Sequence, residues 1–209
     1  MEIIDISVPI DENLPTWPGD PEVRVEWFEE IGKGSDVNIS KVSFGVHAGT
    51  HIDAPLHFIE GGAGLDELRL EDMIGLVHVV EIPYDVDVIT ALTLQALPEI
   101  IYPRVLFKTR NSQLWASKRP NFQRDYVGMD ESAAQILADQ GVKLIGIDYL
   151  SIAPYEHTAP AHELLLRRGI IILEGVDLSQ AQAGIYQLIC LPLKLTSREG
   201  APVRAVLLR

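Results

Sequence analysis

Four side chains that bind metals or carry protons alternate along one short segment of the sequence. The segment reads Phe-Gly-Val-His-Ala-Gly-Thr-His-Ile-Asp-Ala-Pro-Leu-His-Phe from residue 44 to residue 58. Its imidazoles and its carboxylate all occupy odd positions, and nearly all of its even positions are apolar. An extended chain would therefore turn an apolar face to the core and present the polar side chains on the other face. These polar residues are His47, His51, Asp53 and His57.

A straight strand cannot bring these residues to one metal ion. Between His47 and His57 an extended chain covers roughly 33 Å, whereas metal–ligand bonds are about 2 Å long. The chain must therefore bend, and Gly49 and Pro55 are residue types that permit a bend. The sequence predicts a bent strand and loop.

A helix is the alternative, because His47 and His51 would share one helix face as in the His-Glu-x-x-His metalloproteases. Here Ala, Gly and Thr stand between the two histidines, without the Glu that serves as the base. A glycine inside a helix costs about 1 kcal/mol and a proline about 3 kcal/mol. Gly49 and Pro55 therefore disfavour the helix.

An ordinary solvated strand face would explain a single histidine in this segment. The whole chain contains 6 His, however, and half of them lie here, which favours a functional site. Neutral imidazoles and a carboxylate are ligands for zinc, manganese or iron, and such a mixed set leaves a coordination position open for water.

The charge of the chain limits its partners. Asp and Glu number 30 against 17 Lys and Arg, which gives a formal net charge of −13. This charge repels polyanions, so we expect neither nucleic acid nor an anionic membrane as a partner. No apolar run approaches the length of a membrane span, and residues 1–10 do not resemble a secretion signal, so we expect a cytoplasmic protein. The lone Cys190 lies in an apolar run and is predicted to pack as a small hydrophobe.

Length and periodicity predict a single mixed α/β domain over residues 1–209, rich in strands and with helices packed on the sheet. The predicted strands are Ile3–Val8, Val37–Val46, Leu76–Ile82, Arg104–Lys108, Val142–Ile147, Ile170–Leu173, Ile185–Leu195 and Val203–Leu208. The predicted helices are Glu131–Gln140, capped by Asp130, and Pro160–Arg168, with weaker signals at Val88–Ala96 and Leu65–Met73.

The motif His-x-Gly-Thr-His-x-Asp-x-Pro-x-His is present in full from His47 to His57. It resembles the bacterial kynurenine formamidase and cyclase family of metal-dependent amide hydrolases. The resemblance implies a swivelling β/α/β-like fold and one metal held by His47, His51 and Asp53. It also implies that Asp53 can bridge to a second metal and that His57 serves in acid–base catalysis.

The same resemblance implies further site residues. His162 and Glu174 match the remaining metal ligands of the family, and His157 is a nearby competitor that matches less well. Trp17, in a proline-rich turn, would stack on an aromatic substrate; closing the turn over the core is the alternative. Asp148 and Ser151 match a segment that would support the metal site.

The sequence therefore predicts a metal-dependent amide hydrolase acting on a small molecule. The resemblance implies N-formyl-L-kynurenine as the substrate, kynurenine and formate as the products, one or two Zn²⁺ ions with Mn²⁺ as another candidate, and a homodimer. A hydrolase of a cyclic amide, as in the related isatin hydrolases, is one alternative. A non-catalytic binding module stabilised by metal is another, although structural zinc sites are rich in thiolates and this chain has 1 Cys.

Overall fold

The computed structural model of the protein describes residues 1–116 and 121–209. Its strands are β1 (Ile3–Asp5), β2 (Arg24–Glu29), β3 (Ile39–Ser43), β4 (His51–Asp53), β5 (Ile74–Glu81), β6 (Val88–Ile89), β7 (Arg104–Lys108), β8 (Gly128–Met129), β9 (Leu144–Ile147), β10 (Ile171–Glu174), β11 (Gly184–Ile189), β12 (Gly200–Pro202) and β13 (Val206–Leu208). Its α-helices are α1 (Ala91–Gln95), α2 (Ser112–Ala116), α3 (Glu131–Asp139) and α4 (Thr158–Arg167). Short 3-10 helices cover Ile31–Lys33, Pro55–His57, Leu65–Glu67, Leu70–Asp72 and Tyr155–His157.

Across the described residues, one 9-stranded sheet organises the fold, in the order β1-β13-β11-β5-β7-β9-β10-β4-β12. The central strands β5, β7, β9 and β10 run parallel to one another, and the outer pairs are antiparallel. An antiparallel hairpin of β2 and β3 and a short parallel pair of β6 and β8 stand apart from this sheet. The predicted strand-rich α/β domain is confirmed.

The central strands are buried on both faces. Leu106 of β7 belongs to one core cluster, whereas its neighbours Val105 and Phe107 belong to a second cluster on the opposite face. The second cluster includes residues of α3 and α4 and therefore lies under these two helices. Burial on both faces explains why these strands appear in the sequence as continuous apolar runs.

The helices that cover the sheet begin at recognisable signals. Asp130 caps α3, since its carboxylate accepts a hydrogen bond from the Ala133 amide at 3.0 Å. α4 begins at Thr158 rather than at the predicted Pro160, and the proline stands in the first turn, where no intrahelical partner for its nitrogen is needed. None of the helices in residues 1–116 or 121–209 is long and apolar enough to cross a membrane.

Two predicted helices are wrong in part. Leu65–Met73 forms two separate 3-10 turns, because the Leu65 amide bonds to the Arg198 carbonyl at 2.8 Å and ties this segment to a distant loop. In Val88–Ala96, the first residues form β6 and pair with β8, and only Ala91–Gln95 is helical. Tertiary contacts override a weak helical preference in both segments.

The predicted strands are correct in place and differ in extent. The strand predicted at Val37–Val46 is limited to β3, and the one predicted at Ile185–Leu195 ends at Ile189. Strand β4 lies in the segment predicted as a bent strand and loop. Strands β6, β8 and β12 were not predicted, because two or three residues are too few to show a period of two, and the 6-residue β2 was also missed.

The backbone after β10 approaches the backbone of the segment from His47 to His57 closely. Gly175 follows β10 and has φ +68°, and a Cβ at this position would overlap the carbonyl oxygen of Gly49. The Thr50 hydroxyl donates to the Gly175 carbonyl at 2.6 Å and accepts from the Val8 amide at 2.9 Å. Only glycine fits here, so the contact fixes the start of β4 against the end of β10.

We expect Gly175→Ala to destabilise the protein more than Gly141→Ala, as measured by urea unfolding. Both glycines have positive φ, which costs an alanine about 1–2 kcal/mol, but a Cβ at Gly141 meets no atom of the described residues within 4 Å. The overlap at Gly175 adds about 1–3 kcal/mol. Equal losses for the two variants would contradict the close approach.

Candidate metal centre

Two of the predicted metal ligands, His51 and Asp53, lie on β4. It lies between β10 and β12, with His51 opposite Glu174 and Asp53 opposite Gly200. His51, Asp53 and Glu174 are each at most 3 % exposed. The antiparallel register therefore places a carboxylate from β10 beside the imidazole and carboxylate of β4.

Bends on both sides of β4 bring in the other two residues of the motif. Gly49 has φ +67°, and the chain before it turns so that His47 faces Asp53. Pro55 opens the 3-10 helix that ends at His57, whose amide bonds to the Ala54 carbonyl at 2.9 Å. The chain bends at the glycine and the proline, as the sequence predicts, and the straight strand and the helix are both excluded.

His162 reaches the same point from α4. Its side chain is buried, and its Nε2 lies 3.1 Å from Glu174 Oε1 and 3.8 Å from Asp53 Oδ2. The Ile152 amide donates to Glu174 Oε1 at 2.6 Å, which holds the carboxylate in this orientation.

Among the residues that the structure describes, two groups of three side chains have ligand atoms within 4.8 Å of one another, and they share Asp53. The first group is His47, His51 and Asp53, and the second is Asp53, His162 and Glu174. In the first group, Asp53 Oδ1 lies 2.9 Å from His47 Nδ1 and 3.4 Å from His51 Nε2. A shared carboxylate of this kind can hold one ion or bridge two.

Several buried polar atoms of this cluster have no hydrogen-bond partner among the described residues. Among the described residues, neither carboxylate oxygen of Asp53 has a hydrogen-bond partner, and neither does His51 Nε2. His47 Nδ1 is near Asp53 Oδ1, but the two are not oriented as donor and acceptor. Buried polar atoms are normally paired, and lone pairs that converge without hydrogen bonds fit a divalent cation.

In His51 and His162, a contact between one ring nitrogen and a backbone carbonyl indicates which of the two nitrogens presents its lone pair to the cluster. His51 Nδ1 lies 2.9 Å from the Gly49 carbonyl oxygen, and His162 Nδ1 lies 2.7 Å from the Thr158 carbonyl oxygen. A carbonyl only accepts, so we assign the proton of each neutral ring to Nδ1. Each Nε2 then carries a free lone pair directed at the cluster, as metal-binding histidines require.

Without a metal, the site holds positive charge as protons. Burial lowers the pKa of His51, but the carboxylates of Asp53 and Glu174 outweigh it and raise this pKa to about 10. Burial raises the pKa of Asp53, but the neighbouring His47 and His51 hold it well below its usual value. The carboxylates are thus ionised, and they attract positive charge, whether it is a protonated imidazole or a metal ion.

His57 and Trp17 face a cavity of about 270 Å³ beside the cluster. The His57 ring stacks on His47 with centroids 4.0 Å apart, and Trp17 packs against Phe122 and Tyr155 at 5.0 and 5.1 Å. Burial lowers the pKa of His57, against the attraction of the Asp53 carboxylate. The cavity is lined by Trp17, Asp20, His47, His51, His57, Phe58, Leu150, Ser151, Thr158, His162 and Glu174.

Other candidates lie outside the ligand groups. His157 is exposed and precedes α4, and Asp148 is buried away from the lining of the cavity. Burial raises the pKa of Asp148 to about 6, although donors on Ser112 and Thr109 lower it. Ser151 does line the cavity, as does Asp20, which the sequence analysis missed despite its place three residues after Trp17.

The comparison with solved structures shows the class of protein. The chain superposes on a protein described as a potential metal-dependent hydrolase with cyclase activity, with a TM-score of 0.84, 34 % identity, and 99 % and 96 % of the two chains covered. An isatin hydrolase A from Labrenzia aggregata has the same fold, with a TM-score of 0.82 and 24 % identity over 99 % and 93 % of the two chains. The fold and the cluster together define a metal-dependent hydrolase.

The family follows from the sequence comparisons. The model of the Cyclase family matches residues 4–154, and the chain belongs to this family. Cyclase-like protein 3 of Oryza sativa subsp. japonica is 40 % identical over 99 % of this chain and 80 % of its own length. A kynurenine formamidase of Salinibacter ruber is 37 % identical over 99 % and 97 %.

Proposed function

We propose that residues 1–209 form one amide hydrolase domain and that its substrate is N-formyl-L-kynurenine. The observation that carries the proposal is the buried Asp53 carboxylate, shared by two ligand groups and without a hydrogen-bond partner among the described residues. The cavity beside it provides room for a small substrate. The relative named kynurenine formamidase, matched over 97 % of its length, supports this choice of substrate.

The ligand assignment follows the two groups. His47, His51 and Asp53 would hold one ion, and Asp53, His162 and Glu174 would provide a second position. Nitrogen and carboxylate ligands suit Zn²⁺, and Mn²⁺ accepts the same set. A metal held there would supply Lewis-acid chemistry, that is, polarisation of the substrate carbonyl and a lowering of the pKa of water from 15.7 to about 7.

His57 supplies proton transfer. Its lowered pKa keeps the imidazole neutral at neutral pH, so it can accept a proton from the attacking water. A C–O bond forms at the carbonyl carbon, and the same proton passes from His57 to the leaving nitrogen as the C–N bond breaks. The products are formate and the free aromatic amine.

Trp17 lies where an aryl group would rest. It lines the cavity, as Phe58 does, and its own position is fixed by contacts with Phe122 and Tyr155. Aromatic rings pack favourably at centroid distances of about 4.5–7 Å. This contact orients an aromatic substrate with its amide at the cluster.

A cyclic aryl amide is the second candidate, since isatin hydrolases have the same fold. It uses the same water attack and the same proton transfer, with the leaving nitrogen kept in the product. A purely structural metal site is disfavoured, because such sites are closed and rich in cysteine, whereas these ligands line a cavity.

We expect chelated protein to lose hydrolysis of N-formyl-L-kynurenine and to regain it when stoichiometric Zn²⁺ or Mn²⁺ is restored. His57→Gln should lower kcat by about 10²- to 10⁴-fold, the usual contribution of a positioned acid or base, while the bound metal is retained. Kynurenine formation and metal content are measured on the same samples.

His157→Gln is the matched control and should keep full activity, because His157 is exposed and outside the cavity. A His57→Gln enzyme with an undiminished rate would remove His57 from the mechanism. Metal binding without turnover of the formamide would reject this substrate and direct the assay to isatin.

We further propose a homodimer formed through the hairpin of β2 and β3. The hairpin exposes large apolar side chains, with Trp27 59 % and Phe28 70 % exposed. An isolated two-stranded hairpin is marginally stable in water, and a concentrated apolar patch marks an interface. A second copy of the chain would cover this patch and stabilise the hairpin.

Light scattering should therefore give twice the mass of one chain for the wild type and one chain mass for the double variant Trp27→Ser, Phe28→Ser. Leu92→Ser changes another side chain that is 75 % exposed and should leave the dimer intact. A monomeric wild type would contradict the proposed dimer and would leave the proposed metal site unaffected.

A further inference from the structure

His47 differs from His51 and His162 in the hydrogen bonding of the ring nitrogen that does not face the carboxylates. His51 and His162 each have a backbone carbonyl at Nδ1. His47 presents Nδ1 to Asp53, and its Nε2 is buried without a hydrogen-bond partner among the described residues. Metal-binding histidines almost always donate their second N–H, so this ring lacks an acceptor.

Within 4.0 Å of His47 Nε2, the described residues provide one carboxylate, that of Glu199. Glu199 Oε1 lies 4.0 Å from Nε2, about 1 Å beyond a hydrogen bond. The side chain of Glu199 is 37 % exposed, so it has the freedom to rotate and close this gap. No comparable freedom exists for the ring, which is only 18 % exposed.

The backbone of Glu199 is fixed to the strand that carries Asp53. Its carbonyl accepts from the Ala54 amide at 2.8 Å, and the next residue, Gly200, is paired with Asp53 in the sheet. A Cβ at Gly200 would lie 2.9 Å from His47 Cε1, so the imidazole packs directly on this backbone. The glycine lets the ring lie against β12 with Glu199 at its outer edge.

We propose that Glu199 is a positioning residue that accepts the Nε2–H of His47 and thereby leaves Nδ1 as the metal ligand. This inference rests on the proposed metal centre. The bond fixes the tautomer and orientation of the ring and makes Nδ1 a stronger donor. It gives His47 the same kind of support that Gly49 gives His51 and Thr158 gives His162.

The test is a zinc titration of the metal-free full chain against a chromophoric chelator. Glu199→Ala should raise the dissociation constant for Zn²⁺ by about 10- to 100-fold, the usual loss on removing such a partner. Glu199→Gln should give a smaller loss, since its amide oxygen still accepts. Glu60→Ala removes an exposed carboxylate close to the motif in sequence and should stay within about twofold of wild type, because simple charge removal has little effect.

Two further readouts separate positioning from a loss of folding. The thermal midpoint of metal-free Glu199→Ala should equal that of the wild type. In ¹⁵N-histidine spectra of zinc-loaded protein, the His47 Nε2–H signal should be present in the wild type and lost in Glu199→Ala.

Unchanged zinc affinity in Glu199→Ala, with the wild type binding zinc, would overturn the role of Glu199 and leave the proposed function standing. A lowered midpoint that accounts for the whole loss of affinity would also overturn it. A wild type that binds no zinc would reject the proposed function and the role of Glu199 together.

Discussion

The structure depends on one buried carboxylate. Asp53 is 0 % exposed, and neither of its oxygens has a hydrogen-bond partner among the described residues. An ionised carboxylate buried in this way costs several kcal/mol unless a positive charge lies beside it. In the metal-free protein a proton on His51 provides that charge, because Asp53 and Glu174 raise the pKa of its imidazole to about 10. A divalent ion at the proposed site would provide it more strongly, because it would bind the lone pairs of the carboxylate and the imidazoles at once.

Much of the fold serves to hold this carboxylate in place. β4 has only 3 residues, and its position comes from the ladders that it forms with β10 and β12. The contact between Gly49 and Gly175 sets the distance between the segments that carry His51 and Glu174. Helix α4, which packs on the second core cluster, adds His162. Rigid support of this kind is what catalysis by a metal centre requires, since small displacements of the ligands weaken binding and activity.

The sequence predicts the parts of this arrangement that are local. The motif from His47 to His57 bends at its own glycine and proline, and the central strands are long enough to show as apolar runs. His162 and Glu174 required the resemblance to a family, because a helix residue and a strand end meet only through the sheet register. Glu199 was missed for the same reason: its place beside His47 depends on the pairing of β12 with β4, which no local pattern reveals. Contacts between residues far apart in sequence are set by the whole core.

The most direct test is a crystal structure of the zinc-loaded protein with anomalous diffraction at the zinc edge. We expect a peak about 2.0–2.2 Å from an Asp53 oxygen, His51 Nε2 and His47 Nδ1, with a water or substrate atom completing the coordination. A peak bound elsewhere, or a site closed by protein ligands alone, would contradict it.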